Sequence, residues 1–92
     1  MGLLSEDQIV GRLGEVPGWT RQGSSIVATV TRDDFRGAFL FAGAVAFLAE
    51  QVNHHPDILI EWNKVTLTLS THSAGGLTDA DFDLAAKISA LG

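Results

Sequence analysis

The chain has 92 residues, 46% apolar and 18% charged, with six Lys/Arg against eleven Asp/Glu and a formal net charge of −5. That is one domain, residues 1–92, with the composition of a packed globule, and no Lys/Arg cluster offers a footprint for nucleic acid or anionic membrane. The absence of cysteine excludes a disulfide framework and a thiolate metal site, the start MGLLSEDQ lacks the pattern of a secretory leader, and no apolar run reaches the ~20 residues of a bilayer span, so a cytoplasmic protein is expected.

Ser5 stands three residues before Gln8, the spacing of a helix N-cap and its reciprocating partner. The same spacing recurs as Thr31 with Asp34 and Thr78 with Asp81, which predicts three helix starts. The first helix carries Ile9, Val10 and Leu13 on one side and stops at Gly14. In GWTRQGSSIVATV, Gln22-Gly23 marks a turn and Ile26, Ala28 and Val30 alternate behind it, which predicts a hairpin. A long helix follows, from about Asp33 to Val52. Phe35, Phe39, Ala42, Ala46 and Ala49 form one stripe on it, and Phe41, Val45, Leu48 and Val52 another. This arc is wider than one core-facing stripe needs. One face is expected to pack on the sheet and the other on a second helix from a partner subunit, since a core this small is marginal by itself; the alternative is a helix central to a single small core.

The next segment, ILIEWNKVTLTLSTH, alternates with period 2 on both arms and predicts a second hairpin. A turn at Asn63-Lys64 pairs Trp62 with Val65, Ile60 with Leu67 and Ile58 with Leu69, all facing one side. The third helix is expected over about Asp79 to Leu91. The order αββαββα predicts an α+β fold, a four-stranded antiparallel sheet with three helices packed on one face.

Extending that register places His55 opposite His72, at ~5 Å between Cβ atoms, with His54 beside them. Three imidazoles would then share one end of the sheet with Glu50, four residues before His54, and Asp81 at the start of the third helix. Gly75 and Gly76 permit the tight connection between them. A His₃ zinc site is one reading, but adjacent histidines diverge and no local zinc pattern such as HExxH is present. Metal-free proton transfer is the better one, because imidazole donates and accepts protons near neutral pH. Nucleophilic catalysis lacks a Cys or a Ser on a recognisable elbow.

The stretch EQVNHHPDILIEWNKVTLTLSTHSAGGLTDADFDLA is similar to the core of the pterin-4a-carbinolamine dehydratases, also known as dimerisation cofactors of a homeodomain transcription factor. The resemblance is carried by Glu50, His54-His55-Pro56, Trp62-Asn63, Ser70-Thr71-His72, Gly76-Leu77 and Asp81, with Pro17-Gly18-Trp19 and the Phe35–Phe39 helix start upstream. It implies removal of water from a 4a-hydroxytetrahydropterin to give quinonoid dihydropterin, without metal or organic cofactor. By position, His54 and His72 become the acid/base pair, and Glu50 and Asp81 their polarising or orienting partners. His55 holds the pterin, and Pro56, Ser70 and Thr71 belong to the substrate site. The partners implied are a small pterin substrate and a homodimer or homotetramer, with neither nucleic acid nor membrane. The alternative on the same fold is a non-catalytic binding, coactivator or assembly module.

Overall fold

The computed structural model describes residues 2–92. The Ser5 hydroxyl accepts from the Gln8 amide and the Gln8 side chain accepts from the Ser5 amide, so two of the amides at the start of α1 (Glu6–Leu13) are satisfied. Ile9 enters the core, while Val10 faces solvent. β1 (Thr20–Gln22) and β2 (Ser25–Thr31) form the first hairpin, turning at Gly23-Ser24, one residue later than Gln22-Gly23 suggests. Gly23 sits at φ 60, the left-handed region glycine tolerates best.

α2 (Phe35–Val52) starts from Asp34, whose carboxylate accepts from the Gly37 amide at 2.7 Å. The expected Thr31–Asp34 capping pair is therefore not formed. Thr31 is the last residue of β2 and pairs with Lys64, so its backbone is committed to the sheet. The second hairpin is β3 (Asp57–Glu61) and β4 (Lys64–Leu69), followed by a single 3-10 turn at His72–Ala74 and α3 (Asp79–Ser89). α3 is capped by Thr78 and Asp81 in the reciprocal arrangement that their spacing predicts.

The sheet is antiparallel throughout, in the order β1-β2-β4-β3. Ile26 and Ala28 of β2 and Val65, Leu67 and Leu69 of β4 are buried on one face. They meet Ala38, Phe41, Val45 and Ala49 of α2, Phe82, Leu84, Ala85 and Ile88 of α3, and Ile9 of α1 in one core. All three helices thus cover one face of the sheet, and the α+β fold is the one the element order predicts. The opposite face carries Thr29 and Leu59, both exposed.

The register of the second hairpin differs from expectation by two residues. Glu61 pairs with Lys64, Ile60 with Val65 and Ile58 with Leu67, so the turn is Trp62-Asn63 and not Asn63-Lys64. Trp62 leaves the ladder altogether, at φ 51 and 71% exposed. Asn63 is held instead by the end of β2: its carbonyl accepts from the Arg32 amide and its side chain donates to the Arg32 carbonyl. A shift of two leaves every side chain on its original face, so the hydrophobic pattern alone cannot detect it.

α2 shows both faces that its wide apolar arc predicts. By length and composition it would also pass for a membrane span, but its buried face is the one that packs on the sheet. Its other face leaves Phe39, Leu40 and Phe47 60–65% exposed. α1 and α3 are tied by Arg12, which donates to Asp79 and Asp83 at 2.9 Å each and lies over the Phe82 ring. Arg12 Nε stands 3.0 Å from Glu15 off the hydrogen-bonding axis, an ion pair only. The Asp83 hydrogen bond is the largest influence holding the Arg12 guanidinium protonated beyond its usual range.

Candidate active site

The site is organised by the way α2 ends. Asn53 adopts the left-handed conformation (φ 52, ψ 46), which asparagine tolerates better than most side chains. The His54 amide then reaches back to the Ala49 carbonyl at 3.1 Å and closes the helix. His54 is thereby turned out of the helical path, and the four-residue spacing from Glu50 no longer brings the two side chains together.

His54 meets Asp81 instead, with Nε2 and Oδ1 2.6 Å apart. Asp81 is fully buried, in the first turn of α3. An ionised carboxylate so placed would be costly unless its oxygens were satisfied, and they are. Oδ2 accepts from the Thr71 hydroxyl at 2.8 Å and from the Thr78 amide at 2.9 Å. The Thr71 and Thr78 hydroxyls lie 2.8 Å apart. The carboxylate therefore faces an imidazole on one side and a threonine pair on the other.

Glu50 pairs with His55, Oε2 to Nε2 at 2.5 Å, and both side chains are largely exposed. Ser70 donates to the Ser24 carbonyl, which ties the end of β4 to the first hairpin. Continuing the observed register puts Ser70, and not His72, level with His55. The expected His55–His72 pairing is thus not formed, because the turn lies one residue earlier than Asn63-Lys64. His72 opens the 3-10 turn directly after Thr71, with its ring exposed and no side-chain hydrogen bond among the described residues. Gly75 supplies the left-handed residue that ends this turn, and a Cβ on Gly76 would stand 3.1 Å from Leu3. Gly75 is the one whose left-handed φ favours glycine at this turn. Pro56 is half-buried between the histidine pair and β3.

A groove of about 690 Å³ opens beside His54, lined by Val52 at the end of α2 and by Asp83, Leu84 and Lys87 along α3. That is within the usual size of a small-molecule site. His55, Ser70 and His72 do not line it. Among the described residues no three His, Asp or Glu side chains stand together as a metal-binding group. Sequence reasoning missed Thr78 as a site residue, although its signal was present: the T-x-x-D capping pattern that starts α3 also presents Asp81 to His54.

Fold and geometry together define a small α+β domain built around an imidazole–carboxylate pair, the equipment of a proton-transfer enzyme. The family profile of pterin 4 alpha carbinolamine dehydratase matches residues 2–91. A relative from Roseiflexus castenholzii, named for pterin-4-alpha-carbinolamine dehydratase, is 58% identical over 94% of this chain and 92% of its own. One from Nocardia farcinica with the same name is 52% identical over 97% and 94%. The crystal structure of a transcriptional coactivator/pterin dehydratase from Brucella melitensis superposes with a TM-score of 0.91, at 33% identity and 96% coverage of both chains. A pterin dehydratase-like protein identified as a RuBisCO assembly factor in the alpha-carboxysome gives a TM-score of 0.69, at 26% identity over 80% and 88%. The chain belongs to the pterin 4 alpha carbinolamine dehydratase family, a family of hydro-lyases.

Proposed function

We propose that this protein dehydrates 4a-hydroxytetrahydropterins to quinonoid dihydropterin and water, recycling an oxidised pterin cofactor in the cytoplasm, with imidazoles moving the protons and no metal ion required. The C4a–O bond breaks as the hydroxyl leaves with a proton from an acid. The N5–H proton goes to a base, and its electron pair forms the C4a=N5 bond, so atoms and electrons balance without a redox partner. His54 and His72 are the acid/base pair, Asp81 orients His54, and Glu50 orients His55, which holds the pterin with Pro56 and Ser70. The observation that carries this reading is the His54 Nε2–Asp81 Oδ1 contact at 2.6 Å, in a chain of this family. One imidazole nitrogen is pinned by a buried carboxylate, and the other is left for chemistry.

The test is carbinolamine dehydration by purified protein against a no-enzyme control. His54→Ala and His72→Ala should each slow it by about 10²-fold or more, the usual contribution of a general acid or base, with the circular dichroism unchanged. If both variants keep the wild-type rate, the assigned roles are wrong.

The second face of α2 supports a homo-oligomer. Arg36, Phe39, Leu40, Gly43, Ala46, Phe47 and Glu50 are all exposed and recur at steps of three and four. The stripe is symmetric about Gly43. A second copy laid antiparallel would set Phe39 against Phe47, Leu40 against Ala46 and Arg36 against Glu50. The same face supports a second reading, a binding or assembly module without catalysis, and the absence of dehydration above the control would favour it.

A further inference from the structure

We propose that Thr78 and Thr71 form a one-way hydroxyl relay that holds His54 in its Nε2–H tautomer, leaving Nδ1 as the nitrogen free to exchange protons with substrate. The last clause rests on the dehydratase reading; the relay itself does not. Each hydroxyl carries one proton. The Thr71 proton is committed to Asp81 Oδ2, so the 2.8 Å contact between the two hydroxyls must use the proton of Thr78. The Thr78 backbone N–H adds a second donor to the same oxygen, and a backbone N–H can only donate. The direction is thus fixed from Thr78 to Thr71 to Asp81. Two donors on Oδ2 leave that oxygen no proton of its own, and in the proposed relay Oδ1 accepts from His54 Nε2, 2.6 Å away. Thr71, Thr78 and Asp81 are all buried, so water does not compete for these contacts. His54 Nδ1 has no hydrogen-bond partner among the described residues. Thr71 and Thr78 act here as positioning residues, which gives the Thr71 hydroxyl a role other than direct contact with the pterin.

Long-range ¹H–¹⁵N correlation spectra of ¹⁵N-labelled protein read the tautomer, with His54 assigned by loss of its signals in His54→Gln. The wild type should show a pyrrole-like Nε2 and a pyridine-like Nδ1. Asp81→Asn is the sharper probe. Thr71 and the Thr78 amide hold the carboxamide oxygen on their side, so its NH₂ faces Nε2, which must then accept. His54 should flip to the Nδ1–H tautomer, with a loss in kcat of about 10²-fold, comparable to that of His54→Ala because Asp81 acts through His54. Thr71→Val should give a mixed tautomer and a fall of about tenfold in kcat with KM nearly unchanged, and Thr71→Ser should restore both. A wild-type Nδ1–H tautomer, an Asp81→Asn protein still in the Nε2–H form, or a Thr71→Val protein matching wild type in tautomer and rate would each overturn the relay. If Thr71→Val does not fold, the wild-type and Asp81→Asn spectra decide. The expected flip in a protein without dehydratase activity would uphold the relay and refute the functional reading instead.

Discussion

Among the described residues, Trp62 and Asn53 are the non-glycine residues with positive φ, and between them they decide where the histidines go. Asn53 ends α2 and sends His54 towards Asp81, away from the Glu50 that sequence spacing favours. Trp62 occupies the first position of a two-residue turn at positive φ, a conformation that favours glycine or asparagine. An indole at φ 51 and 71% exposed has steric strain and little burial to offset it. Trp62→Asn should therefore raise stability by about 0.5–1 kcal/mol, read as a higher urea midpoint with an unchanged m-value. A lower midpoint would mean that the indole makes a compensating contact.

At the scale of elements, local polar chemistry set the helix starts more reliably than it set the strands. The Ser5–Gln8 and Thr78–Asp81 spacings became capping boxes, while the equivalent Thr31–Asp34 spacing did not, because pairing with Lys64 kept Thr31 in β2. α1 is also tethered to β1 by Arg21, which donates to both carboxylate oxygens of Glu6. That hydrogen bond first, and the guanidinium charge second, hold the Glu6 carboxyl below its usual 4.5. A carboxylate depressed in the folded state contributes stability at pH above its unfolded value, and loses it as pH falls through the lower folded value. The stability difference between wild type and Glu6→Gln should thus be present at neutral pH and close below about pH 4.5, measured by thermal melts. Added salt should shrink it at pH 7, since the pair is exposed.

For the whole molecule, the informative surface is the uncovered side of α2. In the proposed homo-oligomer, a second copy covers the exposed Phe39, Leu40 and Phe47 through the stripe that is symmetric about Gly43. Leu40→Glu and Phe47→Glu should each weaken self-association at least 30-fold, the equivalent of ~2 kcal/mol, by sedimentation velocity. Both side chains lie outside the core, so the fold should persist. An unchanged sedimentation coefficient in both variants would move the contact elsewhere.

The element order, the α+β layering, two of the three caps and the double-faced α2 were legible in the sequence by itself. Each rests on period or on contacts within a few residues, and the motif from Glu50 to Asp81 was sufficient to suggest the family. Only the tertiary structure decided the register of the second hairpin, since a shift of two residues conserves every face. It alone paired His54 with Asp81 and Glu50 with His55, because a single left-handed residue at the end of α2 redirects the chain in a way no spacing rule records. Thr78 makes the same point from the other side. Its position before α3 marks it as a cap, but its hydroxyl's partner, Thr71, is brought to it by the fold.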